Sequence, residues 1–220
     1  MNRAVIREAL TKVFESYRLE LLYRAVDRLP EEHLRDVFGE LIKYCDEAEL
    51  AAPAPDLFEE VVEFVEQSRA GRYYEDYEPN SRTSMEQSEG TNRWIAQCCR
   101  LLGHLVEATS VEPPEKVLHG FDEIIGLLRQ LDWGDDSIVF FTDEGGSWQV
   151  GVKWPEVVAA CAACLAASEE PEACARRALT LIDEFDASRR NEMVEIAAER
   201  LPPQYGAALS TMLEEDSRGR

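Results

Sequence analysis

Along most of this chain the apolar residues return at steps of three and four, and prolines interrupt the rhythm at distances that suit single helices. The pairing constrains the fold strongly. An apolar stripe with a 3.6-residue period is one face of a helix, and proline is tolerated in a helix only in its first turn. Val5, Ile6, Leu10, Val13, Phe14, Tyr17, Leu21 and Leu22 mark a first helix running to Leu29. Pro30 opens a second, with Glu31 and Glu32 at its positive end and Leu34, Val37, Phe38, Leu41 and Ile42 on its buried face. Asp56, with Glu59 three residues on, reads as the cap of a third helix that stops at Gly71. Thr91 is expected to cap a fourth, and Pro114, Pro155 and Pro171 stand at further helix starts. Ser188–Leu201 and Gln204–Leu213 complete the set, and the polar residues 214–220 are expected to fray.

Two stretches break the pattern. Residues 71–90 are irregular, with Pro, Asn, Ser and two glycines. Residues 137–152 carry strand chemistry: Ser137–Thr142 and Trp148–Val152 are β-branched and aromatic, and Asp143-Glu144-Gly145-Gly146 lies between them. They predict a short β-hairpin or a packed loop, with Ile138, Phe140, Trp148 and Val150 buried. The whole is expected to be an all-α protein of about nine antiparallel-packed helices, in one domain spanning 1–220. Pro55, Pro114 and Pro171 recur at similar distances, but the apolar patterns that follow them do not superimpose, so no solenoid repeat is read.

The charge limits partners more than it limits fold. The chain of 220 residues has 44 acids against 23 bases, a net charge of −21. Such a field repels phosphate backbones and anionic lipid and attracts basic protein surfaces. No apolar stretch approaches the roughly 20 residues a membrane helix needs, and the N-terminus lacks a signal-peptide apolar region, so the expected compartment is the cytoplasm. Cys45, Cys98, Cys99, Cys161, Cys164 and Cys174 all fall in helical segments, which favours buried reduced thiols. Cys161-Ala-Ala-Cys164 has the CxxC spacing but sits within an apolar helix, away from the strand-to-helix turn that a redox site needs.

Three groups of residues are candidates for contact with something else. Glu59, Glu63 and Glu66 share one face of the third helix, in a block of eight acids and no base from Tyr44 to Ser68. Tyr73, Tyr74 and Tyr77 alternate with acids in the irregular stretch, a composition suited to a basic, partly apolar protein surface. Their alternative role is to pack back on the helices and pin the loop. Asp132, Asp135, Asp136, Asp143 and Glu144 occupy a segment without Lys or Arg and are candidates for a divalent cation, although the spacing is not that of an EF-hand. Solvated turn chemistry explains them equally. His33, His104 and His119 have no nucleophile pattern around them, and no phosphate-binding loop or hydrolase motif occurs.

The sequence therefore points to a non-enzymatic acidic adaptor or regulator that binds a protein partner with a basic surface, without a cofactor and without nucleic acid or membrane. Homo-oligomerisation is left open. The alternatives are a nucleic-acid-mimicking inhibitor of a DNA-binding protein, and a metal-dependent hydrolase-like enzyme using the carboxylates of 132–144.

Overall fold

The structure, a computed structural model, describes residues 3–41, 55–75, 87–134, 137–141 and 146–219. Within them ten α-helices form: α1 Arg3–Leu10, α2 Glu15–Arg28, α3 Glu31–Phe38, α4 Leu57–Arg69, α5 Glu89–Ala108, α6 Pro114–Asp132, α7 Trp154–Ala166, α8 Pro171–Phe185, α9 Arg190–Arg200 and α10 Pro203–Gly219. Short 3₁₀ turns occupy Ser147–Val150 and Ala187–Arg189. The all-α expectation holds. The hairpin does not: no strand forms among the described residues.

Helices α4, α5 and α6 pack on one another, and α7 lies against α5 and α6. Helices α8, α9 and α10 extend the stack from α7. One contiguous core runs from Val61 to Leu209, centred on Trp94, Leu101 and Leu105 of α5 and on Phe121, Ile124 and Leu128 of α6. At Gly120 the two central helices come together so closely that a Cβ would stand 2.7 Å from Leu105 Cδ2. Helix α7 is apolar nearly all round, from Val157 to Leu165, and is correspondingly covered on almost every side.

Several boundaries differ from the sequence reading, each for a local reason. The first helix is two, broken at 11–14 where Thr, Val and Phe disfavour helix. There the Thr11 hydroxyl donates to the Glu8 carbonyl at 2.7 Å, competing with the backbone. Helix α5 begins three residues early: Ser88 is its cap, and its Oγ accepts the Thr91 N–H at 3.0 Å. The last helix runs to Gly219, and the Arg190 guanidinium reaches Asp216 in it at 2.6 Å. The second predicted helix does not bury its apolar face. Val37 and Leu41 are exposed, Leu34 and Phe38 are half-buried, and Ile42 lies outside the described residues. Val5, Phe14 and Leu22 are exposed as well, and neither α1 nor α3 packs extensively on another described element.

Candidate functional site

Some acids of helix α4 meet cations from other helices and others do not. Asp56 caps it, accepting the Phe58 N–H at 3.4 Å while the Glu59 carboxylate accepts the Asp56 N–H at 3.4 Å, a reciprocal pair that satisfies two orphan donors. The chain leaves the helix through Gly71 in the left-handed region at φ +70°. Val61, Phe64 and Val65 face the core. Two carboxylates meet cations from other helices: exposed Asp56 meets Lys116 at 2.9 Å, which holds it below the usual carboxylate range, and half-buried Glu60 pairs with Arg100. The outward carboxylates, Glu59, Glu63 and Glu66, are exposed and take part in no ion pair among the described residues. They span two turns, about 10 Å of helix.

The chain after α4 is tied down. The Tyr73 ring meets Phe64 edge-on at 5.8 Å, its hydroxyl donates to Gln67 Oε1 at 3.4 Å, and burial pushes the phenol above its ordinary range. Tyr74 stays largely exposed, with its edge on Phe140 at 6.4 Å. Glu75 accepts the Gly90 N–H at 2.9 Å and pairs with Arg93 at 3.1 Å. Gly90 must be glycine, since a Cβ would collide with the Tyr73 carbonyl oxygen. Tyr77 lies outside the described residues.

The segment after α6 closes differently from a hairpin. Asp132, the last residue of α6, accepts the Ser147 N–H at 2.7 Å on Oδ1 and the Ser147 hydroxyl at 2.8 Å on Oδ2. The chain then turns through a 3₁₀ step, and in that geometry residues three apart share a side. Ser147 and Val150 therefore point inward, and Trp148 is 70% exposed. This corrects the expectation that Trp148 is buried. Ile138 and Val150 are buried and Phe140 is half-buried, its carbonyl accepting the Thr91 hydroxyl at 2.9 Å. Both Asp132 oxygens are engaged, Asp135, Asp136, Asp143 and Glu144 lie outside the described residues, and no metal-sized cluster of His, Cys, Asp and Glu occurs among those described. Sequence reasoning passed over Trp133, which is 81% exposed beside Asp132. The signal was legible: a tryptophan between Asp132 and Gly134-Asp135-Asp136 sits in turn chemistry, without an apolar repeat to bury it.

A cleft lies between α2, α5 and the start of α7, lined among others by Glu20, Arg28, Cys99, Arg100 and Lys153. Three groups of ion pairs lie at and beside its walls. Glu20, buried, lies 3.4 Å from Arg24 and 3.9 Å from Lys153. Asp27 lies 3.4 Å from Arg100 and 3.1 Å from His104, and Arg100 also holds Glu60. Arg28 pairs with Glu107. These pairs fasten α2 to the body and leave Arg24, Arg28, Arg100 and Lys153 already partnered. Replacing Arg100 by Met is expected to cost about 1–3 kcal/mol, because Glu60 loses its ion-pair partner and Asp27 keeps only His104. Hydrogen exchange should show α2 losing protection while α5 and α6 keep theirs.

The cysteines are chemically quiet. Cys98, Cys99, Cys161, Cys164 and Cys174 are unpaired, and Cys45 lies outside the described residues. Burial pushes Cys98 and Cys161 well above the ordinary thiol range, Cys99 to about 12, and Cys164 and Cys174 to about 11. A reactive thiol needs the opposite shift. Comparison with protein-family models, with curated proteins and with solved structures finds no match to this chain.

Proposed function

We propose that the protein is a non-enzymatic adaptor or regulator that engages a protein partner through a basic surface on that partner. The observation that carries this reading is the exposed, unmatched acidic face of α4. Asp56 and Glu60 are matched by Lys116 and Arg100 from other helices, and Glu59, Glu63 and Glu66 are exposed and take part in no ion pair among the described residues. Like charges at i,i+4 cost an isolated helix a few tenths of a kcal/mol, about 0.2–0.5 per pair. A partner's Lys or Arg side chains would convert that repulsion into attraction.

The charge distribution also supports the location. Residues 1–41 contain eight acids and seven bases, so nearly all of the −21 is carried by the rest of the chain, α4 included. A basic partner is therefore drawn to the part of the chain that carries this surplus.

The test is capture from native extract on the immobilised protein, comparing the wild type with the Glu59→Lys/Glu63→Lys/Glu66→Lys variant. A species retained at low salt by the wild type, released by added salt and absent from the variant is the expected result. Retention that ignores both salt and the three substitutions would place the interface elsewhere. Retention of nucleic acid would contradict the electrostatic basis directly.

A further inference from the structure

The buried core and the apolar side chains packed on it are drawn from Leu57 onward; among the described residues none comes from α1, α2 or α3. Yet α2 lies along α5. Charge joins the two. Ion pairs cross from α2 to the body at Glu20 with Lys153, at Asp27 with Arg100 and His104, and at Arg28 with Glu107. The α2 side chains that line the cleft, Glu20, Arg24 and Arg28, are all charged, whereas the body side supplies Leu102, Val106 and Val157. Tyr17, Leu22 and Val26 of α2 are instead exposed, at 40%, 43% and 37%. Apolar transfer therefore contributes little to holding α2 down. Ion pairs at partly exposed positions contribute modestly and are screened by salt. A segment held in this way opens more readily than the core it lies on.

Cys99 lines the same cleft and reports on its cover. Its thiol donates to the Val150 carbonyl at 3.4 Å. Burial first, and then the Glu20 carboxylate, push the thiol up to about 12, against the opposing Lys153 ammonium. Glu20 belongs to α2 and Cys99 to α5. Departure of α2 would thus remove both a wall of the cleft and a charge that keeps this thiol quiet.

We propose that α1–α3 form a strap, latched to the body by these ion pairs, that opens while the core stays folded and uncovers the cleft floor around Cys99, Leu102 and Val106. On opening, Arg100 keeps Glu60, while Lys153 and His104 lose the carboxylates of α2. The uncovered floor is apolar and edged by Lys153 and His104, a surface unlike the acidic face of α4.

The test alkylates the full chain with iodoacetamide, an uncharged reagent, and follows Cys99 and Cys161 by peptide mass spectrometry. Sodium chloride is raised from about 0.1 M to about 1 M at constant pH, which shortens the Debye length from about 10 Å to about 3 Å. Labelling of Cys99 is expected to rise by about fivefold or more, while Cys161, buried in α7, stays unchanged. Asp27→Asn/Arg28→Gln should reproduce the rise at low salt, since both substitutions are on the strap and leave Arg100 its Glu60. Over the same salt range, hydrogen exchange should show α2 losing protection and α5 keeping it, which screening of Glu20 alone would not produce. Cys99 labelling that ignores the salt or the variant, or that rises in step with Cys161, would overturn the latch. So would α2 amides that stay protected at high salt.

Discussion

Replacing Trp94 by alanine is expected to destabilise the protein by about 3–5 kcal/mol, the usual cost of deleting a buried aromatic. Trp94 is 0% exposed, its ring lies 5.6 Å from Phe64, and its indole N–H donates to Ser68 Oγ at 2.8 Å. The Ser68 hydroxyl in turn donates to the Phe64 carbonyl at 2.6 Å, so the indole ties α5 to α4 through a buried chain of hydrogen bonds. Trp148→Ala should change stability by no more than about 0.5 kcal/mol, as exposed substitutions do. Urea unfolding of the two variants checks both values. Equal losses would show that the inward and outward assignments of α5 and the 3₁₀ turn are mistaken.

Stability should also fall steeply in alkali. An unfolded cysteine titrates near pH 8.5, whereas in the folded chain Cys164 and Cys174 are raised to about 11 and Cys99 to about 12, in each case chiefly by burial. Below the unfolded value every thiol is neutral in both states, and the stabilisation is complete. Above it the unfolded chain releases protons that the folded chain retains, so stability drops until the folded values are passed. Each pKa unit corresponds to about 1.4 kcal/mol. Several such thiols together are comparable with the 5–15 kcal/mol, roughly, by which a whole domain is stable. Urea midpoints measured from about pH 8 to pH 11 should decline, and Cys164→Ala/Cys174→Ala should decline less steeply. A midpoint that stays level to pH 11 would mean that these thiols are already open to water.

Local chemistry made some of this fold legible before any coordinates. The Asp56 cap, the Gly71 stop and the proline starts of α6 and α8 follow from single residues whose preferences nothing nearby opposes. The burial of α7 follows from its composition, which leaves no polar face to turn outward. The errors arose where a distant partner decided the matter. Trp148 reads as the inward member of a strand, but Asp132, fifteen residues away, captures Ser147 and sets the turn. In the candidate site, the acidic face of α4 was visible from i,i+4 spacing alone. Which of its acids are neutralised was not, because Lys116 and Arg100 come from other helices.

The most direct measurement compares two charge-matched variants for affinity to nona-arginine at low salt. One is Glu59→Gln/Glu63→Gln/Glu66→Gln. The other is Glu170→Gln/Glu172→Gln/Glu195→Gln, which removes three exposed acids from α8, its cap and α9. The net charge changes equally, so an undirected acidic field would lose the same affinity in both. If α4 presents the partner-selecting surface, its variant should weaken binding by about fivefold or more and the other by less than about twofold. Equal losses would contradict the account.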